Sequence, residues 1–488
     1  MYHPTKDEFL RLADRSNIIP VYKEVLEDIE TPLSSFRKLG GEYSFLLESA
    51  ETAEKIGRYS FLGVNPKVFF RVFEKNTCIT KGENEEMKEI DKDPLIFLKE
   101  IISSYKIASK DSFGRLFGGA VGFIGYDYIR FIENLPPKKE DELNLPIALF
   151  VIPENIIIFD HLNRTIKILA LIPIKKNKIE SYKESLASIE AIEKKLKKPF
   201  VFSDFKVKRS KPVFETKKSN FIKWVLSAKE YIRQGDIIQV VLSHRIKRKT
   251  QANYISIYRA LRYINPSPYM FLLNFGDIKL IGSSPEKLVS LEGDIVETRP
   301  IAGTRKRGKT EEEDKVLEKE LLACPKELSE HIMLVDLGRN DIGRVCEFGS
   351  VNVQEFKKIE RYSHAMHIVS SIQGKIKKGL GPFELLQASF PAGTVTGAPK
   401  IRACEIIDEL EDRRRGPYAG AVGYISFFGD MDTCITIRTI LLYNGTAYIQ
   451  AGAGIVAESD PEKEYQESLN KASAMLSAID MAEDGLEL

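Results

Sequence analysis

Two apolar runs joined by Gly276-Asp277, in YMFLLNFGDIKLIG (269–282), commit this chain to antiparallel sheet, because a turn of that kind folds the backbone directly onto itself. Strand-like runs recur on both sides of the hairpin. EYSFLLESA (42–50), RYSFLGV (58–64), KVFFRVF (67–73), ALFVIPENIIIFD (148–160) and TIKILALIPI (165–174) precede it; DIIQVVLSHRIK (236–247), KLVSLEGDIVETRPI (287–301) and the long stretch 421–456 complete the set. Helical spacing is kept apart from them. SYKESLASIEAIEKKLKK (181–198) places Leu186, Ile189, Ile192 and Leu196 on one face, with lysines on the solvated side. SNFIKWVLSAKEYIRQG is capped by Ser219 or Asn220, aligns Phe221, Val225, Ala228 and Ile232, and stops at Gly235. A short helix ends before Pro266; long ones occupy 311–345, broken near Pro325, and 461–482. Antiparallel strands with segregated helices mean an α+β fold, not a βαβ nucleotide-binding fold.

The chain has 488 residues, with 72 Lys and Arg against 70 Asp and Glu. A net charge of +2 excludes a nucleic-acid binder driven by bulk charge and an acidic disordered chain. No apolar run reaches the ~20 residues that span a bilayer, and MYHPTKDEFL has no apolar core of a secretory signal. The five cysteines (78, 324, 346, 404, 434) are odd in number and form no C-x-x-C pair, so reduced thiols in a cytoplasmic protein are expected. The length divides into an N-terminal domain (1–200), a linker (201–218) in the stretch 199–218 that lacks a sustained period and carries two prolines, and a larger C-terminal domain (219–488).

Two E-x-x-E pairs stand out. Glu327 and Glu330 project from one face of a helix that follows Pro325; Glu464 and Glu467 repeat the spacing on a helix with Asp460 as N-cap and Pro461 at its first position. Oxygen-only ligands with vacant positions suit Mg²⁺; alternatively the glutamates form ordinary i, i+4 pairs with Lys326 or Lys471. GTVTGAPK (393–400) precedes a helix and presents backbone N–H groups to an anion, but lacks the ending of a Walker loop. Gly452 and Gly454 lie in a strand where a ligand can approach closely, PIAGT (300–304) ends another strand, and Arg438 can clamp a carboxylate. Of six histidines, His331, His364 and His367 lie nearest these segments and are candidates for a base or an orienting group.

In their order these segments resemble the chorismate-utilising enzymes, most closely the large-subunit (component I) family of anthranilate synthases. The stretches are GDIIQVVLSHR, NPSPYMF, GSSPEKLV, TRPIAGTRKRG, KELSEHIMLVDLGRND, RYSHAMHIVS, FPAGTVTGAPK, GPYAGAVGY, IRT and QAGAGIVAESDPEKEYQESLNKA, over about 219–475, with LLESAE and GRYSFLG upstream. The resemblance implies an α/β sandwich with the active site in a cleft between sheets, and conversion of chorismate and ammonia to anthranilate and pyruvate with Mg²⁺. It makes Glu330 and Glu467 the metal ligands, with Glu327 and Glu464 completing the cage. It places Gly303, Thr304, Thr394, Tyr418, Arg438, Gly452, Ala453 and Gly454 on chorismate, Glu286 as the acid that protonates the leaving hydroxyl, and His367 at the elimination of pyruvate.

Two positions bear on the sister reactions. Family members that add water hold a lysine base where this chain has Gln239; ammonia needs no such base. The aminodeoxychorismate synthases typically have lysine at Ala302. The alternatives are therefore aminodeoxychorismate synthase component I, an isochorismate or salicylate synthase, and a non-catalytic tryptophan sensor. The last predicts losses among the acids, and all are present. No Cys-His-Glu amidotransferase apparatus accompanies the cysteines, so the resemblance implies a separate glutaminase subunit, in a heterodimer or heterotetramer. It also implies feedback by L-tryptophan at a pocket of Ser49, Arg58, Asn265, Pro268, Tyr269 and Met270, an apolar slot with polar ends.

Overall fold

The computed structural model describes the chain except residues 27–28, 51–56, 108–115, 137–138, 140–141, 200–204, 362–364 and 487–488. His364 and the start of the expected linker thus lie outside the described residues. The α+β expectation holds. Among the described residues 23 strands join in one hydrogen-bonded network, every strand pair antiparallel between neighbours, with helices packed on its faces. No helix among the described residues is long and apolar enough to cross a membrane.

The hairpin forms where expected. Tyr269–Phe275 pairs with Ile278–Ser284, Phe275 faces Ile278, and Gly276 takes the left-handed φ of 69° that the turn requires. The outer edge of the hairpin carries Ser44–Glu48, with Met270 opposite Glu48. A second seam joins the halves where Gly119–Ile124 pairs with Ala421–Ser426. Val213–Phe214, in the stretch read as a linker, adds a two-residue strand to Gln239–Lys249. One buried apolar cluster contains Phe70, Tyr128, Phe221, Leu385 and Ile455, so both halves contribute to the same core.

Two local readings change. The runs at 58–64 and 67–73 form one strand, Tyr59–Val72, against Ala148–Asp160. The pairing absorbs its proline in a bulge: Pro66 faces Pro153 and the register shifts before Val68, so no N–H is missing from a regular ladder. The Lys218–Gln234 helix begins at Lys217, not at Ser219 or Asn220, since the Lys217 carbonyl already accepts from Asn220 and Phe221 N–H groups. Gly235 ends it at φ 85° as expected. The 311–345 segment breaks at Pro325 as expected, into Glu311–Ala323 and Pro325–Gly343, because proline at the first position of the second helix cannot continue the first.

Candidate active site

Four elements bring the acids together. Glu327 and Glu330 lie in the first turns of Pro325–Gly343, Glu464 and Glu467 in the first turns of Pro461–Glu483. The second helix starts cleanly because Asp460 Oδ1 accepts from Lys463 N at 3.0 Å and Pro461 follows it. Strand Ile301–Lys306 supplies Gly303 and Thr304, and strand Thr446–Ile455 supplies the glycines. Gly303 has φ 68°, and a Cβ there would stand 2.9 Å from Leu321 Cδ1 and 3.1 Å from Glu327 Oε2, so only glycine lets this strand approach the acids. Gly452 pairs with Ser243 and Gly454 with Val241. A Cβ on Gly452 would lie 2.5 Å from Leu242 O, and one on Gly454 2.6 Å from Gln239 Nε2.

Two of the four carboxyls are shifted upward. Burial holds the Glu330 carboxyl above the usual range, and Glu327 and Glu467 push it further. Burial raises Glu464 likewise, with Glu467 adding to the effect, although Ser459 Oγ donates to Glu464 Oε1 at 2.8 Å. Glu467 pairs with Lys471 at 2.7 Å, and Glu327 accepts from Arg305 Nη1 at 3.2 Å. The i, i+4 alternative from the sequence is therefore real for Glu467. Among the described residues Glu330 has no hydrogen bond or ion pair. Among the described residues no three His, Cys, Asp or Glu side chains converge closely enough to hold a metal. The donor set still fits a hard divalent cation: oxygen only, Glu327 and Glu467 raising Glu330, and Glu330 without a hydrogen-bond or ion-pair partner among the described residues.

Around the acids lie the remaining groups. Glu286 is buried, and its Oε1 accepts from Thr394 Oγ1 at 2.7 Å. Burial pushes its pKa up to about 8, the Thr394 bond opposes this, and Glu330 adds to it. His367 faces Thr304 across the Ile301–Lys306 and Ala365–Lys375 strands. Its Nδ1 lies 3.0 Å from Gly303 O and 3.1 Å from Thr304 Oγ1. Donation to the carbonyl assigns the proton to Nδ1 and leaves Nε2 as the basic nitrogen. Burial lowers its pKa, the Gly303 bond opposes this, and Arg438 lowers it again. Arg438 has φ 50°, and its Nη1 donates to Lys471 O at 2.6 Å. Burial moves Tyr418 up to about 12 against the pull of Arg415 and Arg438.

Lys471 is the group that pattern reading treated only as a surface partner. Its ammonium sits between Glu467 and Gly452 O, the latter at 3.2 Å, inside the site. Arg415 was not singled out at all. Its guanidinium bonds Glu411, Val395 O and Val241 O and lies 5.6 Å from the Tyr418 ring centre. The run RRRGPY in which it lies offers three arginines and no signal as to which one is buried.

A separate cavity of about 280 Å³ is lined by Ser49, Arg58, Pro268, Tyr269 and Met270, five of the six residues expected to form an inhibitor pocket. Asn265 is not among its lining residues. It caps the Tyr254–Ile264 helix, and its Nδ2 donates to Ser283 Oγ at 3.1 Å instead. Arg299, Glu360 and Asp432 give the cavity charged margins, and Phe61 and Tyr424 give it aromatic walls.

Residues 42–477 match the family described as chorismate binding enzyme. The chain belongs to the chorismate-binding enzyme family. Within it, an Acetivibrio thermocellus protein named anthranilate synthase component 1 is 50% identical over 491 residues, covering 99% of each chain. An Aquifex aeolicus protein of the same name is 47% identical over 99% of this chain and 98% of its own. The solved anthranilate synthase component I of Streptococcus pneumoniae superimposes with a TM-score of 0.77 at 38% identity, over 92% of this chain and 98% of that one. The menaquinone-specific isochorismate synthase MenF of Escherichia coli shares the fold alone: TM-score 0.72 and 18% identity, over 97% of this chain and 98% of that one. The acids, His367 and the glycines all lie within the matched residues.

Proposed function

We propose that this chain is the aminating large subunit of an anthranilate synthase, taking chorismate and ammonia to anthranilate and pyruvate at the entry to tryptophan biosynthesis. The observation that carries the reading is a buried acid that keeps its proton near neutrality, Glu286 on Thr394, in a site whose nucleophile position carries Gln239 and no base. Near-full-length relatives of that name support it.

The roles follow from the chemistry. Arg438 and Thr304 hold the enolpyruvyl carboxylate, Tyr418 hydrogen-bonds the substrate, and the bare backbone of Gly452, Ala453 and Gly454 lets the ring lie against the strand. Glu286 donates its proton to the departing ring hydroxyl. His367 Nε2 takes the ring proton as pyruvate is expelled, and Gly303 O fixes the imidazole. Glu330 and Glu467, with Glu327 and Glu464, would hold Mg²⁺. When bound, the ion neutralises the ring carboxylate and eases attack at the adjacent carbon.

Ammonia comes from a separate glutaminase subunit in a heterodimer or heterotetramer in the cytoplasm. The described thiols support this, since burial raises Cys346 and Cys404 to about 11 and leaves them unreactive. L-tryptophan binds the 280 Å³ cavity, with its indole between Pro268, Met270 and the aromatic walls and its amino-acid end at Ser49 and the charged margins. Purified chain with chorismate, Mg²⁺ and an ammonium salt should produce the blue fluorescence of anthranilate. Aminodeoxychorismate or isochorismate as product, or no turnover, would overturn the reading.

A further inference from the structure

A small cavity of about 40 Å³ lies behind Glu286, on the side of Thr298, Leu337 and Gly338. Its lining includes Glu286, Thr394, Ser389 and Asp341. These residues differ in access to solvent. Glu286 is 5% exposed and Ser389 3%, whereas the side chains of Asp341 and its partner Lys400 are 16% and 14% exposed. Lys400 Nζ donates to both Asp341 oxygens at 2.8 Å and to Ser389 O at 3.2 Å, so Asp341 and Lys400 form a single fixed group. Asp341 is eleven residues beyond Glu330 on the same helix, which is roughly 16 Å at a rise of 1.5 Å per residue. Asp341 and Lys400 are thus more exposed than Glu286 and Ser389, and Asp341 lies along the helix from the Glu327 and Glu330 pair.

One atom here has no role in the fold. The Ser389 hydroxyl is buried and has no hydrogen-bond partner among the described residues. An orphaned buried hydroxyl is costly unless water satisfies it. The cavity is large enough for water, which needs about 10–15 Å³ of such space per molecule and polar partners on two or more sides. Glu286, Thr394, Ser389 and Asp341 provide those partners.

We propose that this cavity holds a short chain of water that returns a proton from solvent to Glu286 by a route apart from the substrate cleft, with the Ser389 hydroxyl fixing a water and Asp341 and Lys400 forming the outer end. The proposal rests on the assignment of Glu286 as the acid in chorismate amination. In that step the ring C–O bond breaks, the hydroxyl leaves as water with the Glu286 proton, and ammonia forms the C–N bond. The resulting ring ammonium sheds one proton to solvent, and Glu286, now a carboxylate, takes one from solvent, so protons balance over the step. With product still in the cleft, a rear path resets the acid without waiting for release. The burial that raises Asp341 to about 6, against the pull of Lys400, suits a carboxyl that exchanges protons near neutrality.

The test separates resetting from chemistry. Ser389→Val replaces the hydroxyl with a methyl and fills the space; Asp341→Asn removes the outer carboxyl. In each, single-turnover formation of anthranilate should keep the wild-type rate, because Glu286 starts protonated. Steady-state kcat should fall about tenfold or more, within the range a proton-transfer group supplies, with KM for chorismate unchanged and a larger solvent deuterium isotope effect. A crystal structure of the wild-type chain should contain ordered water between Ser389 Oγ and the Glu286 carboxyl. Wild-type kcat and isotope effect in Ser389→Val, or a dry cavity, would overturn the proposal. If the variants do not fold, the wild-type crystal structure decides it. Absence of anthranilate from the wild type defeats the functional reading, and the water path then stands or falls on the crystal structure alone.

Discussion

Glu286 shows at the scale of one residue how burial makes an acid. Its folded pKa of about 8 lies above the ordinary 4.5, chiefly because the carboxylate would be desolvated. Activity should therefore persist while the group is protonated and decline as pH rises through about 8, measured at constant free ammonia. Glu286→Gln should lose about 10²–10⁴-fold in kcat, the range of a general acid. Stability has the same sign. Between about 4.5 and 8 the unfolded chain releases this proton while the folded chain retains it, so the contribution is complete below that window and lost across it. Glu286→Gln should flatten the melting temperature against pH over that range; a slope equal to wild type would contradict the assignment. Glu330 supplies the second residue-scale expectation. Replacing it with Gln removes one of three mutually repelling acids, so the metal-free protein should melt no lower than wild type. Mg²⁺ should raise the wild-type melting temperature and leave that of Glu330→Gln nearly unmoved, because a ligand of the folded state stabilises in proportion to its affinity.

Elements place these residues through their ends and bends. Asp460 accepts the Lys463 N–H and starts the helix that carries Glu464 and Glu467. Asp460→Ala should cost about 1 kcal/mol in urea unfolding, and it should raise KM for Mg²⁺, since the first turn that frays is the one bearing the acids. Gly303 is a bend of a different kind. Alanine there must occupy φ 68° and press on Leu321 and Glu327. Strain of about 1–2 kcal/mol should appear in the urea midpoint together with loss of activity; an active, equally stable Gly303→Ala enzyme would remove the close-approach argument.

At the scale of the molecule, one sheet runs through both halves, and the 280 Å³ cavity lies where they meet, with Ser49 and Arg58 from one and Pro268 to Met270 from the other. A ligand there biases how the halves sit, and with them the distant acids. L-tryptophan should inhibit anthranilate formation. Ser49→Phe, by filling the slot, should relieve inhibition while leaving most uninhibited activity; unchanged sensitivity would exclude Ser49 from the pocket. The isolated chain should also use ammonium salts and fail with glutamine, which anthranilate fluorescence in the two media decides.

Much of this was legible in residue order. The Gly276-Asp277 hairpin, the Pro325 and Pro461 helix starts and the Gly235 stop depend on nearest-neighbour backbone sterics, which are local and therefore written in the sequence. The acid pairs, His367 and Glu286 stand out in the sequence as a family pattern, because chemistry limits which side chains could serve, and their roles remain those proposed above. What tertiary structure alone decided is non-local. The runs 58–64 and 67–73 read as separate strands, and only the pairing of Pro66 with Pro153 at a bulge joins them into one. Asn265 donates to Ser283 from the end of its helix, a contact that no spacing in the sequence shows. Lys471 and Arg415 became part of the site only because a strand and a helix distant in sequence close over them. Spacing along a chain specifies a face; which charge is buried beside which depends on the packing of the whole.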